Sequence, residues 1–217
     1  MEKYSTIIWD MDGTLLDTLD DLSDSVNEAL FKFSQPLRTK QEIRSFVGNG
    51  VLRLLELSVP DGKNNPLFDD IFEYFKLCYE KNQSNKTKPY EGLDILLPRL
   101  LAGGYKMAIV SNKIDPAVKD LANLHFPRLM QAAIGEQAGM KRKPADDMVN
   151  EALRLLGSSK QEAIYIGDTE VDIETAKNSR LDFVCVSWGF RDRKQLEDAG
   201  AEKIFDRAEE LLEFFKV

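Results

Sequence analysis

Two aspartates two residues apart, in Asp10-Met11-Asp12-Gly13-Thr14, stand at the end of the apolar run Ile7-Ile8-Trp9. Three further clusters of acid, hydroxyl and ammonium groups follow: Ser111-Asn112-Lys113, Lys143-Pro144, and Gly167-Asp168-Thr169-Glu170-Val171-Asp172. Ser111 lies directly behind an apolar run of strand length, and Asp168 one Gly behind another. Open parallel sheets bind ligands at the carboxyl ends of their strands. Carboxylates that converge there repel one another unless a cation or a shared proton neutralises them. The pattern therefore asks for a divalent metal and an anionic substrate, and phosphate suits both.

A carboxylate at Asp10 can attack phosphorus and carry it as an aspartyl-phosphate, splitting hydrolysis into two displacements. Asp12, past a turn helped by Gly13, is placed to give a proton to the leaving oxygen and later take one from water. Alone, an Asp-x-Asp equally fits a turn or a helix cap. A calcium loop is excluded, because Thr14 and Leu15 stand where such a loop needs an acid and its glycine. Ser111 can hydrogen-bond a phosphate oxygen, and the Lys143 ammonium can act as a point charge on phosphate and nucleophile. A helix starting near Thr169 puts Asp168 and Asp172 on one side of its first turn. Asp10, Asp168 and Asp172 carry three negative charges, which one Mg²⁺ and Lys143 balance. Oxygen-only ligands point to Mg²⁺ rather than zinc. With one histidine, His125 in a loop-like Leu-His-Phe-Pro, a Ser-His-Asp triad has little support and a structural role is expected.

The elements that must position these groups alternate along the chain. Strands are predicted at Thr6 to Trp9, Met107 to Val110, Ala163 to Ile166, Phe183 to Val186 and, more weakly, Lys203 to Phe205. None alternates polar with apolar residues, so they read as buried on both faces of a parallel sheet. A helix over Asp94 to Ala102 stops at Gly103-Gly104. Asp115-Pro116 reads as an N-cap and first helical residue, and Asp206 as the cap of the last helix, with Glu209 in capping-box register. The expected class is α/β: a doubly wound parallel sheet.

Between Asp17 and Lys88 the alternation stops, and only helices are legible. Leu19, Leu22, Val26, Ala29, Leu30 and Phe33 share one face. Thr39 to Glu42 forms a capping box for a helix ending near Gly48. Val51 to Leu57 is a third helix, and Asn65-Pro66 opens a fourth with Phe68, Ile71, Phe72, Phe75, Cys78 and Tyr79 on its core face. Residues 17–88 thus read as a helical-bundle cap inserted into an α/β catalytic core of residues 1–16 and 89–217, with Asn82 to Lys88 as the return linker.

Lys plus Arg number 29 against 37 Asp plus Glu, a formal charge of -8. That balance disfavours nucleic acid or an anionic membrane as the main partner, while a metal and local lysines can still reverse the field inside a pocket. No apolar run approaches the roughly 18 residues of a spanning helix, and the start lacks a signal-peptide core. Cys78 and Cys185 read as buried free thiols. A cytoplasmic protein acting on a small phosphorylated metabolite is expected.

The chain resembles the haloacid dehalogenase superfamily of phosphohydrolases along nearly its whole length, with all four motifs in the family's order and a helical cap between the first two. It is similar to the phosphoglycolate phosphatases in Phe46-Val47-Gly48-Asn49-Gly50 followed by Leu54, in Ser111-Asn112-Lys113, and in Ser187-Trp188-Gly189-Phe190. The resemblance implies Asp10 as nucleophile and Mg²⁺ ligand, and Asp12 as acid/base and ligand through its carbonyl. It also implies Asp168 as third ligand, Asp172 as support of the metal shell, and Ser111, Asn112 and Lys143 as phosphate binders. Asp146, where relatives carry a second Pro, and His125 to Ile134, without the usual Tyr-Phe-Asp, depart from the pattern. A substrate carboxylate would need a cation near Gly48, Asn49 and Gly50; Arg44 and Arg53 are the nearest in sequence. The alternatives are a phosphomutase resembling those of β-glucose 1-phosphate and a receiver-type phospho-accepting domain. A receiver would carry these groups in another order and have no use for a cap. A dehalogenase would leave Asp12 idle. The oligomeric expectation is a monomer or homodimer.

Overall fold

The computed structural model describes residues 3–217. Strands β1 (Thr6–Trp9) and β2 (Leu16–Asp17) lead into helices α1 (Leu19–Lys32), α2 (Lys40–Phe46), α3 (Gly50–Ser58) and α4 (Phe68–Asn82). After β3 (Lys88–Pro89) come α5 (Leu93–Ala102), β4 (Lys106–Ile114), α6 (Asp115–His125) and β5 (Ala132–Glu136). The chain continues through α7 (Asp147–Leu156), β6 (Ala163–Gly167), α8 (Glu170–Ser179) and β7 (Asp182–Val186). It finishes with α9 (Arg193–Asp198), β8 (Ile204–Phe205) and α10 (Ala208–Phe215). Two compact units result: residues through Leu16 together with Pro89–Val217, and Asp17–Lys88.

The larger unit is a six-stranded parallel sheet in the order β5-β4-β1-β6-β7-β8, the doubly wound class expected. Alternate residues of each central strand feed opposite layers. Ile7, Trp9, Met107, Ile109, Ile164 and Ile166 pack with α5, α6 and α10, whereas Ile8, Ala108, Val110 and Tyr165 pack with α7 and α8. Burial on both faces is why these strands read as continuous apolar runs. The order also reverses direction around β1, which opens a crevice at its carboxyl end.

Several local expectations need correction. β5 lay outside the predicted strands because Ala-Ala-Ile-Gly-Glu has low strand propensity; its pairing with β4, from Ala108 opposite Ala132 onward, supplies what the sequence lacks. β4 runs on to Ile114, so Ser111 to Lys113 lie within it, across a register shift, rather than behind it. Asp115 is the first residue of α6, not its cap; its Oδ1 accepts the Gly135 N–H at 3.0 Å and its Oδ2 pairs with Lys119. His125 ends α6 instead of sitting in a loop. The cap position of α10 is Arg207, because Asp206 is drawn to Arg193 and Ser187 while its N–H donates to Glu210.

In the helical unit, α1 packs on α4 and α2, and α2 on α3. The Thr39 to Glu42 capping box forms as read. Asn65 starts the fourth helix two residues early, accepting the Leu67 N–H at 2.9 Å before α4 opens at Phe68. Phe33 and Phe72 are only half-buried. Asp21, buried in α1, accepts the N–H groups of Lys86 and Thr87 and the Thr87 hydroxyl, tying the return segment to the helix. Cys78 and Cys185 are free and buried. Among the described residues, no helix is long and apolar enough to cross a membrane.

Candidate active site

The first motif leaves β1 through a tight turn. The Asp10 N–H donates to Ile166 O on β6, and the N–H groups of Leu15 and Leu16 both return to Met11 O. Gly13 makes the turn possible: its φ is +91°, and a Cβ there would lie 2.3 Å from Asp168 Oδ2. The loop after β7 closes on the same turn. A Cβ on Gly189 would meet Gly13 O at 2.2 Å, and Trp188 Nε1 donates to Thr14 O at 3.0 Å. The Trp-Gly pair noted in the sequence thus has a physical task, backbone-to-backbone contact with the first motif.

Four acidic and basic groups meet around Asp10. Lys143 Nζ lies 2.6 Å from Asp10 Oδ1 and 2.8 Å from Asp172 Oδ1, and donates to the Tyr165 hydroxyl at 3.2 Å. Its side chain is 3% exposed, far from the usual solvated lysine. Asp168 Oδ1 accepts the Thr14 hydroxyl at 2.9 Å and its Oδ2 the Phe190 N–H at 2.7 Å. Asp172 is the most fully engaged. Besides Lys143, its Oδ1 accepts Tyr165 OH, and its Oδ2 accepts the N–H groups of Asp168 and Thr169 and the Thr169 hydroxyl. It orients Lys143 while capping the start of α8.

Electrostatics follow from burial. Desolvation, and then the charge of Asp172, push Asp10 up to about 7. Desolvation and the charges of Asp10 and Asp172 hold Asp168 well above the ordinary carboxylate value. Burial alone would lower Lys143, but Asp10 and Asp172 hold it above its ordinary value. Asp10, Asp168 and Asp172 each offer a carboxylate oxygen, all within 4.8 Å of one another. Three buried carboxylates against one ammonium leave a charge imbalance that a hard, oxygen-loving divalent cation fits. Asp10 and Asp168, whose oxygens take fewer donors than those of Asp172, are the better-suited ligands.

The second motif converges on Asp12. Ser111 Oγ donates to Asp12 Oδ2 at 3.4 Å, and Lys113 Nζ pairs with Asp12 Oδ1 at 2.9 Å. Asn112, expected among the phosphate binders, donates its amide to Lys143 O at 3.1 Å and so ties β4 to the third motif. Thr14, Lys113, Tyr165 and the Phe190 N–H had no assigned role in the sequence. Tyr165 had one signal, a hydroxyl inside the otherwise apolar Ala-Ile-Tyr-Ile-Gly; Phe190 had none, because its backbone does the work.

The other predicted residues belong to the helical unit. Arg44 sits half-buried in the last turn of α2. Gly48 and Gly50 take φ of 129° and 77° on either side of Asn49, which precedes α3 without a side-chain cap bond. Arg53 is half exposed and pairs with Glu56 at 3.0 Å, a carboxylate that Lys63 shares at 2.7 Å.

Comparison with known proteins places this geometry. The family model for haloacid dehalogenase-like hydrolases matches residues 7–186. A phosphoglycolate phosphatase of Rhodobacter capsulatus is 36% identical over 189 residues, covering 85% of either chain. One of Mesorhizobium japonicum is 30% identical over 206 residues, 92% of this chain and 91% of the other. The crystal structure of a provisionally named phosphoglycolate phosphatase from Lactobacillus delbrueckii subsp. bulgaricus superposes with a TM-score of 0.94, at 36% identity over 99% of both chains. CbbY from Rhodobacter sphaeroides in complex with phosphate shares the fold, with a TM-score of 0.79, 22% identity, and coverage of 99% of this chain and 100% of the other.

Proposed function

The chain belongs to the haloacid dehalogenase-like hydrolases and is a phosphoric monoester hydrolase, and from that premise we propose a Mg²⁺-dependent cytoplasmic phosphatase of 2-phosphoglycolate or a close analogue. The observation that carries the reading is Asp10 at the carboxyl end of β1, held at 2.6 Å by a buried lysine with Asp12 two residues away. Asp10 attacks phosphorus, the phosphorus–ester oxygen bond breaks, and Asp12 gives its proton to the departing alkoxide. A water then attacks the aspartyl-phosphate, passing its proton to Asp12. The bond to Asp10 breaks, phosphate leaves, and both side chains return to their starting state. Ser111 and Lys143 hold the phosphoryl oxygens, and Asp172 and Tyr165 keep Lys143 on target. Mg²⁺ held by Asp10, Asp168 and the Asp12 carbonyl would screen the repulsion between carboxylate and phosphate.

The test is phosphate release from a panel of small phosphomonoesters with Mg²⁺ and with EDTA. The expected result is release that needs Mg²⁺ and is fastest, by kcat/KM, with 2-phosphoglycolate. Conversion of β-glucose 1-phosphate to its 6-phosphate without phosphate release would overturn the hydrolase reading in favour of a mutase.

A further inference from the structure

Lys113 is a buried ammonium that none of the steps above employs. It stands two residues beyond Ser111 on β4, and both side chains reach the carboxylate of Asp12, Ser111 at Oδ2 and Lys113 at Oδ1. The Lys113 side chain is 3% exposed and that of Asp12 16%. An ammonium withdrawn this far from water is costly unless its surroundings repay it, and such placements concentrate where a charge has a task. Lysine is also a compact point charge, suited to a single carboxylate more than to the planar grip of an arginine.

From this geometry we infer that Lys113 is the specificity cation of the site. It recognises a carboxylate carried one carbon away from the ester oxygen of the phosphomonoester. The inference rests on the function proposed above, because it takes Asp12 as the group that meets the leaving oxygen. A proton donor must come within about 3 Å of that oxygen. Lys113 Nζ is 2.9 Å from the same carboxylate, which puts it within about 6 Å of the ester oxygen when hydrogen-bond lengths are added. A carboxymethyl group spans that gap; an ethyl group reaches as far but carries no charge. The substrate carboxylate takes the place at Nζ that Asp12 Oδ1 holds here, and Asp12 is released toward the ester. Selection of the organic end is thereby built into β4 itself.

The experiment compares 2-phosphoglycolate with ethyl phosphate, nearly the same shape without the carboxylate, in wild type, Lys113→Met and Lys113→Gln. In wild type kcat/KM should favour 2-phosphoglycolate. Either variant should lose roughly 10- to 100-fold on 2-phosphoglycolate, the worth of one charge-assisted hydrogen bond, and less than about 3-fold on ethyl phosphate. Equal losses on both esters would overturn the inference, since Lys113 would then serve Asp12 or the phosphoryl group. No loss on either, or a wild type indifferent to the carboxylate, would overturn it as well. Lys113→Gln keeps a donor for Asp12 should Lys113→Met prove unstable. Equilibrium binding of both esters to Asp10→Asn, with and without Lys113→Met, separates this inference from its premise. If no ester is turned over, the hydrolase reading falls, while a carboxylate-dependent loss of affinity still supports Lys113 and equal affinities still overturn it.

Discussion

The cluster around Asp10 and the Gly48 to Arg53 stretch were both read from the sequence as functional, yet they are built in opposite ways. Around Asp10 every ionisable group is buried and held by at least two partners, as Lys143 is by Asp10, Asp172 and Tyr165. In the helical unit, Arg53 is half exposed and shares Glu56 with Lys63. Buried, mutually constrained charges lose little on reaching a reactive geometry, which is the requirement for transition-state stabilisation. Exposed pairs are worth little and rearrange freely, which suits a surface that adapts to different organic groups. The difference separates the part that performs a reaction from a part that can change without ending it.

If that contrast is right, substitutions should grade in effect from the cluster outward. Asp10→Asn should lower turnover below about 10⁻³ of wild type, because an amide cannot attack phosphorus. Retention of several per cent activity in a folded variant, measured by phosphate release, would remove Asp10 as nucleophile. Asp12→Asn should cost roughly 10² to 10⁴ on alkyl phosphates and much less on p-nitrophenyl phosphate, whose leaving group needs no proton. Equal losses on the two would reduce Asp12 to a positioning role.

Lys143→Met should abolish turnover and also destabilise the metal-free fold by about 3–5 kcal/mol, because it strands buried Asp10 and Asp172 without their cation. Thermal unfolding with and without Mg²⁺ checks it: added Mg²⁺ should raise Tm more in the variant than in wild type. At the far end of the scale, Arg44→Ala and Arg53→Ala should raise KM for 2-phosphoglycolate by a few-fold while leaving p-nitrophenyl phosphate turnover nearly unchanged. Arg53→Ala should shift stability by less than about 1 kcal/mol, as for other exposed ion pairs. A loss of kcat in either variant would erase the contrast between the two regions.

The residues that could do chemistry were legible because each motif joins an apolar strand to polar groups of few possible uses. The parallel, doubly wound sheet followed from strands without alternation, and the family follows from the same motifs. β5 was not legible, because its residues become a strand only against β4. The misplaced caps at Asp115 and Asp206 have a similar origin: both side chains had better partners far away in sequence.

By itself the sequence determined the order of elements, the buried faces and the inventory of reactive groups, since those depend on local pattern and on which side chains tolerate water. Only the tertiary structure decided that Lys143 is shared between Asp10 and Asp172 and propped by Tyr165, that Asp168 is aimed by Thr14 and the Phe190 backbone, and that Lys113 faces Asp12. Those arrangements join residues up to 154 positions apart. Hydrogen bonds act over about 3 Å and desolvation depends on everything packed around a group, so neither leaves a trace in local composition.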